Sequence, residues 1–229
     1  MAKLNQFLDK PQHSAEYKKI LERIHLMQWE LSDDPWFFLT QMGRTKDEHA
    51  AKAGLSPYRP FPYKEYIRHT VETVMDPRFQ PVHLIIHKSR QIMISWFIVG
   101  MFDWACLKSE AQLCGIQTQK SDDANDLIIR GYGIWDRLPP VIKEVAPCTR
   151  KENHLSFPAT NSDFRGFPRG ADQVRRLTFS KIAVDEAAYV DELAATMTAI
   201  MPTLDEHAWF ILISSAKQSF FNELVQDRI

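Results

Sequence analysis

Three cysteines, Cys106, Cys114 and Cys148, are all that the chain has, and none sits in a CxxC pair. An odd, scattered set cannot close into a disulfide framework and gives no zinc ligand spacing, so they read as the reduced thiols of a cytosolic protein. Long apolar runs are missing too. No window approaches the ~20 residues a membrane-spanning helix needs, and the opening MAKLNQFLDK has no apolar stretch of the secretory type. There is no internal repeat and no low-complexity tract. A net charge of -1 excludes a polycation that coats nucleic acid with its whole surface, but leaves room for a local basic patch. What is present is ordinary for a globular chain: 45% hydrophobic and 25% charged residues in 229, enough to bury a substantial core.

The sequence changes character near residue 63. Glu16 to Leu31 has helical spacing, with Tyr17, Ile20, Leu21, Ile24, Met27 and Leu31 on one side. Asp34-Pro35 punctuates, and Trp36 to Met42 predicts a second short apolar helix. Gly43 to Pro62, rich in charge, Gly and Pro, reads as a linker. The expected division is therefore a helical extension over 1–62 and a core over 63–229.

A helix from Tyr63 to Val74 opens the core. Strands are then expected at Val82–His87, Gln112–Gln119, His154–Pro158, Leu177–Val184 and Trp209–Ser214. Helices are expected at Ser95–Leu107, Asp122–Leu138 with Ser121 as N-cap, Asp191–Met201 and Phe220–Gln226. Strands alternating with helices predict a mostly parallel sheet covered on both faces.

Three segments carry chemistry. His87-Lys88-Ser89-Arg90-Gln91-Ile92-Met93-Ile94-Ser95-Trp96 follows a strand and opens a helix, the setting in which backbone N–H groups and a helix N-terminus hold phosphate. Set against G-x-x-x-x-G-K-[ST], Lys88 takes the first glycine position, Met93 the second and Ile94 the usual lysine, so only the hydroxyl of Ser95 matches. Alone, this segment reads better as a basic turn before a buried helix.

Lys181-Ile182-Ala183-Val184-Asp185-Glu186 is an apolar strand ending in two carboxylates, one able to hold Mg²⁺ through water and one able to polarise an attacking water. Phe210-Ile211-Leu212-Ile213-Ser214-Ser215-Ala216 is an apolar strand ending in small hydroxyls, suited to sensing a γ-phosphate. Each occurs by chance; their order down the chain is what gives them weight.

As an ordered set over Tyr63 to Lys217, these segments resemble the ATPase domain of the tailed-bacteriophage large terminases, in the variant whose phosphate-loop lysine moves to the start of the motif. The resemblance implies an α/β three-layer P-loop fold of the additional-strand, catalytic-glutamate type, with an N-terminal helical extension. It implies an ATPase that drives double-stranded DNA into a procapsid, with ATP and Mg²⁺ as its cofactors. On this pattern Lys88 contacts the β- and γ-phosphates within a nucleotide-binding stretch Lys88–Trp96, and Tyr63 lies where relatives touch adenine. Ser95 ligates Mg²⁺, Asp185 orients the ion through its water shell, and Glu186 is the catalytic carboxylate. Arg90 senses the γ-phosphate in the same subunit, Arg165 or Arg169 serves as an arginine finger on a neighbour, and Ser214 and Ser215 couple hydrolysis to movement.

The implied partners are double-stranded DNA, a portal protein, a small terminase subunit and further copies in a ring, with no membrane. The implied place is the cytoplasm of the infected host and not the mature virion. The family's nuclease domain has no counterpart before Ile229, so no DNA cleavage is expected of this chain. Met93, at a glycine position that favours φ > 0, is the clearest departure and predicts low affinity or turnover.

Two other functions stay open: a helicase-like P-loop translocase, which would keep a GKT or GKS, and a catalytically dead assembly module, which Met93 and Ile94 favour. Arg165, Arg169, Arg175, Arg176 and Lys181 form a basic region that reads equally as a solvated face and as a contact for DNA. His83 and His87 share one face of a strand as core or edge histidines.

Overall fold

The computed structural model describes residues 11–46, 54, 56–89, 93–215, 217 and 219–226. Among these, a seven-stranded sheet runs in the order β3-β9-β8-β4-β7-β6-β5. Its strands are β3 (Val82–His87), β4 (Leu113–Gln117), β5 (Thr149–Lys151), β6 (His154–Phe157), β7 (Ser162–Phe167), β8 (Phe179–Asp185) and β9 (Leu204–Ser214). β3, β9, β8, β4 and β7 are parallel, and β6 and β5 finish that edge antiparallel. β9 lies between β3 and β8, so an additional strand separates the candidate phosphate-loop strand from the acidic strand. β1 (Thr45–Lys46) and β2 (Tyr58–Arg59) form a small separate ribbon.

The inner strands are apolar on both faces, as burial between two helical layers requires. Ala183, Trp209, Ile211 and Ile213 enter one core, and Ile182, Val184, Phe210 and Leu212 enter the other, with the period of two that alternating side chains impose. β3 is an edge strand. Its Leu84 and Ile86 pack inward while His83, Ile85 and His87 are exposed, so both histidines belong to an edge.

The larger core is organised by α4 (Ile94–Lys108), which is apolar nearly all round and buried along most of its length. Against it pack α5 (Ser121–Asp136), α6 (Pro140–Val145) and the N-terminal segments. These last are α1 (Pro11–Leu31), the single turn α2 (Pro35–Phe37) with the π-helical turn Phe38–Met42 that continues it, and α3 (Glu65–Met75). Phe38, Leu39, Met42 and Phe61 are buried in the same core as Phe97 and Phe102, so the chain before residue 63 shares one core with the chain after it. The smaller core is closed by α7 (Leu193–Ile200), α8 (Phe220–Val225) and the 3-10 turn Ala187–Tyr189.

Two expectations need correction. Ser121 is the first residue of α5, not its cap: Lys120 holds the N-cap position without a side-chain bond, and the Ser121 hydroxyl accepts from Asn153 Nδ2 at 3.2 Å. Arg165 and Gly166 lie within β7, a strand missing from those expected.

Candidate functional site

In a parallel sheet the carboxyl ends of the strands leave a crevice, because the chain departs to helices on opposite faces. Here that edge holds a cavity of about 500 Å³ lined by Lys88, Ser95, Asp185, Glu186, Ser215 and Tyr189 on the β3–β9–β8 side. Thr118, Gln119, Asp123, Asp126, Leu127 and Arg130 line it on the β4–α5 side.

Lys88 follows directly from β3. Its backbone N–H donates to the Ser214 carbonyl at 2.9 Å, extending the β3–β9 ladder by one residue and fixing where the side chain leaves. The side chain is 9% exposed, and Nζ stands 3.7 Å from Glu186 Oε1. Ser89 is exposed beside it, and Arg90, Gln91 and Ile92 lie outside the described residues.

The loop rejoins the fold at Met93, which caps α4 in the left-handed region at φ 60. A side chain is strained in that conformation, so the glycine position of the pattern is conformationally real. Ile94 is buried in the core, which explains why no lysine stands there. Ser95, half-buried in the first turn of α4, turns to the cavity, and Trp96 next to it carries the Arg130 guanidinium 5.4 Å from its ring centroid.

Asp185 ends β8 almost fully buried, its Oδ1 accepting the Glu186 N–H at 3.0 Å. Glu186 adopts φ 55, a left-handed turn that swings its carboxylate out to the cavity, where its side chain is about half exposed. Ser214 is buried at the end of β9, and its hydroxyl accepts the Ala188 N–H at 3.0 Å. Ser215 Oγ lies 3.5 Å from the Tyr189 hydroxyl. The two serines therefore bind the acidic turn to the neighbouring strand. The oxygens of Ser95 and Asp185 on one cavity form a hard donor set of the kind Mg²⁺ takes, with room for water ligands.

Other expected residues fall elsewhere. Tyr63 does not line the cavity; it is largely exposed and meets Trp36 edge-on at 4.9 Å. Arg165 is held on β7 by Asp163, Nη2 to Oδ2 at 2.7 Å, and His154 Nε2 lies 2.7 Å from the other carboxylate oxygen. Partial burial would raise the Asp163 pKa, but the hydrogen bonds from His154 and Arg165 outweigh it and hold the carboxyl below its ordinary value. Arg169 is exposed beyond β7 and paired at 3.6 Å with Asp191.

Lys181 does not belong to a basic surface. It is buried, with Nζ donating to Gln112 Oε1 at 2.6 Å and lying over the Trp209 ring. The residues the sequence reading missed are those of α5 and the end of β4, above all Arg130. Asp122 and Asp123 stand in the first turn of α5, but the sequence does not give the direction that turn faces.

No protein-family model matches the sequence, and no curated protein matches it. Solved structures do. The large terminase of bacteriophage HK97 superposes with a TM-score of 0.59 at 14% identity, over 80% of this chain and 37% of that one. The large terminase ATPase domain of Thermus phage P74-26 gives 0.56 at 18% identity, over 79% and 73%. The large terminase of a further, thermophilic bacteriophage gives 0.53 at 11% identity, over 67% and 39%, and another structure of that protein is a complex with ADP. The chain thus spans well under half the length of the first and third of these proteins. Over most of its own length it has the fold of a phage large terminase ATPase domain.

Proposed function

We propose that this chain is the ATPase part of a viral genome-packaging motor, hydrolysing Mg²⁺-ATP to move double-stranded DNA into a procapsid. The observation that carries this reading is the convergence of Lys88 and Glu186, 3.7 Å apart, on one cavity at the carboxyl edge of a sheet with β9 inserted between their strands. The triphosphate enters this cavity and takes Lys88 from Glu186. Glu186, freed, aligns a water and accepts its proton as the water oxygen attacks the γ-phosphorus. The bond to the β–γ bridging oxygen breaks, leaving ADP and inorganic phosphate. Ser95 and Asp185 hold Mg²⁺, which neutralises charge on the phosphate oxygens when bound.

Lys88 and Arg130 face that charge from the two walls of the cavity, and the γ-phosphate-sensing role is assigned to Arg90, which lies outside the described residues. Arg169, exposed at the same edge, is the better placed of the two arginines for acting on a neighbouring copy; Arg165 is committed to Asp163. Ser214 and Ser215 pass movement of the acidic turn into β9. Duplex DNA, a portal, a small terminase subunit and a ring of copies are the partners this function needs, in the host cytoplasm and outside the mature virion. No helix among the described residues is long and apolar enough to cross a membrane.

Turnover of Mg²⁺-ATP by the wild type, Lys88→Ala and Glu186→Gln is the test. Hydrolysis that either substitution cuts by at least ~100-fold, as for a lost transition-state contact, supports the motor. Stimulation by single-stranded rather than duplex DNA would favour a helicase-like translocase. A second reading, an ATPase-fold assembly module without turnover, is favoured by the strained Met93 and buried Ile94. It wins if the wild type neither binds nor hydrolyses ATP even when its subunits are brought together.

A further inference from the structure

α1 is apolar on two opposite sides. Leu26 and Trp29 anchor it to the core, and Lys108 fastens the same side, with Nζ bonded to the Trp29 carbonyl and 4.7 Å from its ring centroid. Facing away from these are Tyr17, Ile24, Met27 and Leu31, which are 45%, 38%, 53% and 79% exposed, and Ile20, 50% exposed, completes the stripe at its border, where it also lines a groove with Leu26 and Val141. Their spacing of three and four is that of a heptad seam, with Tyr17, Ile24 and Leu31 in one register and Ile20 and Met27 in the other. The stripe is about 21 Å long at the rise of an α-helix. A surface helix in a monomer needs one apolar face, not two.

We propose that this stripe pairs with the same stripe of a second copy, the two α1 helices running antiparallel. The flanking charges select the occupant and its orientation. A parallel pair would set Arg23 against Gln28 and Glu16 against Leu21, which gains no ion pair. Of the antiparallel registers that use most of the seam, one opposes Arg23 to Arg23 and Glu16 to Glu30, with like charges facing. The other layers Ile24 on Met27 and Ile20 on Leu31, and sets Arg23 of each copy beside Glu30 of the other, twice by symmetry.

Arg23 and Glu30 are both exposed and have no ion pair among the described residues. Two heptads are too few to hold an isolated coiled coil, but α1 is already ordered by its anchored side, so pairing does not bear the cost of forming the helix. The seam is smaller than a standard interface of about 1,600 Å², so association is reversible and concentration-dependent. The inference is independent of the nucleotide chemistry.

Sedimentation of the 229-residue chain across a concentration series tests it. The wild type is expected to pass from monomer to dimer. Ile24→Asp, at an exposed position, should stay monomeric with an unchanged circular dichroism spectrum and Tm. Arg23→Glu and Glu30→Arg should each be monomeric alone, because each sets like charges together twice. Mixed, they should form a heterodimer, since one copy then carries both acids and the other both bases. A wild type that stays monomeric throughout, or a dimer that survives Ile24→Asp, overturns the proposal. Failure of the two charge variants to recover association on mixing overturns it as well.

Discussion

Asp185 and Asp103 are both aspartates buried in the same domain, and they have opposite fates. Asp185 ends β8, faces the cavity and accepts a backbone N–H. Asp103 sits in the middle of α4, fully buried against Gly131, and neither carboxylate oxygen has a partner among the described residues. Burial holds the Asp103 carboxyl well above its ordinary pKa, and the neighbouring Cys114 adds to the effect. Depth alone therefore does not mark a functional carboxylate. What separates the two is the opening beside one of them and a hydrogen-bonding backbone that accepts its charge.

The sharpest break in this comparison comes from neutralising each in turn. Asp185→Asn keeps an oxygen for the Glu186 N–H but loses the charge to which the proposed function assigns Mg²⁺, so on that proposal ATP turnover should fall at least ~100-fold with little change in Tm. Asp103→Asn should do the reverse and leave turnover intact while raising stability at neutral pH, because the amide carries no charge to bury. The sign follows from the raised pKa. The folded chain holds a proton that the unfolded chain releases above its own pKa near 3.9. That contribution is complete at acid pH and is lost as pH rises through the folded value. Denaturant unfolding of the wild type should therefore weaken from acid towards neutral pH, and the Asn variant should flatten that slope. An Asp103→Asn chain that loses turnover would show that the two carboxylates are not separable in this way.

The same contrast explains what was legible in the sequence. Strand ends were readable because an apolar run that stops at Asp185-Glu186 or Ser214-Ser215 must leave the sheet at its carboxyl edge. β8 came out within two residues of its bounds; β9 ends where expected but begins five residues earlier, at Leu204, and lies between β3 and β8 as the implied fold requires. The opposite wall was not readable. Periodicity places Asp123, Asp126 and Arg130 on α5 without saying what that face meets, and only the β4–α5 packing turns them to the cavity. Asp103 was hidden inside an apolar run, where one polar letter does not disturb the helical pattern. The seam of α1 was visible as a stripe, but nothing local says that Leu26 and Trp29 take the core and leave the stripe outside.

Arg130 sharpens the comparison across the cavity. It has no carboxylate partner at ion-pair distance among the described residues and rests over Trp96, on the cavity that Ser95 also lines. Arg130→Ala should lower kcat about tenfold, or about 1.4 kcal/mol of transition-state stabilisation, less than the loss at Lys88 because the arginine approaches from the far wall. Arg130→Lys should recover part of it. Equal kcat and a raised KM would instead make Arg130 a binding residue for the bound nucleotide.

The smallest effect belongs to Met93, where function and stability meet in one backbone angle. The left-handed conformation costs a side chain about 1–2 kcal/mol, and glycine gives back about 0.5–1 kcal/mol through its freer unfolded chain. Met93→Gly should therefore gain at most about 1.5 kcal/mol, read as a rise of up to roughly 3–6 °C in Tm. It should also let phosphate approach the loop backbone and lower KM for ATP. A fall in Tm would mean that the half-buried Met93 side chain contributes more by packing than its backbone loses by strain. The departure from glycine would then be a structural replacement, and the loop would have to hold phosphate through Lys88 and side chains instead of through close backbone approach.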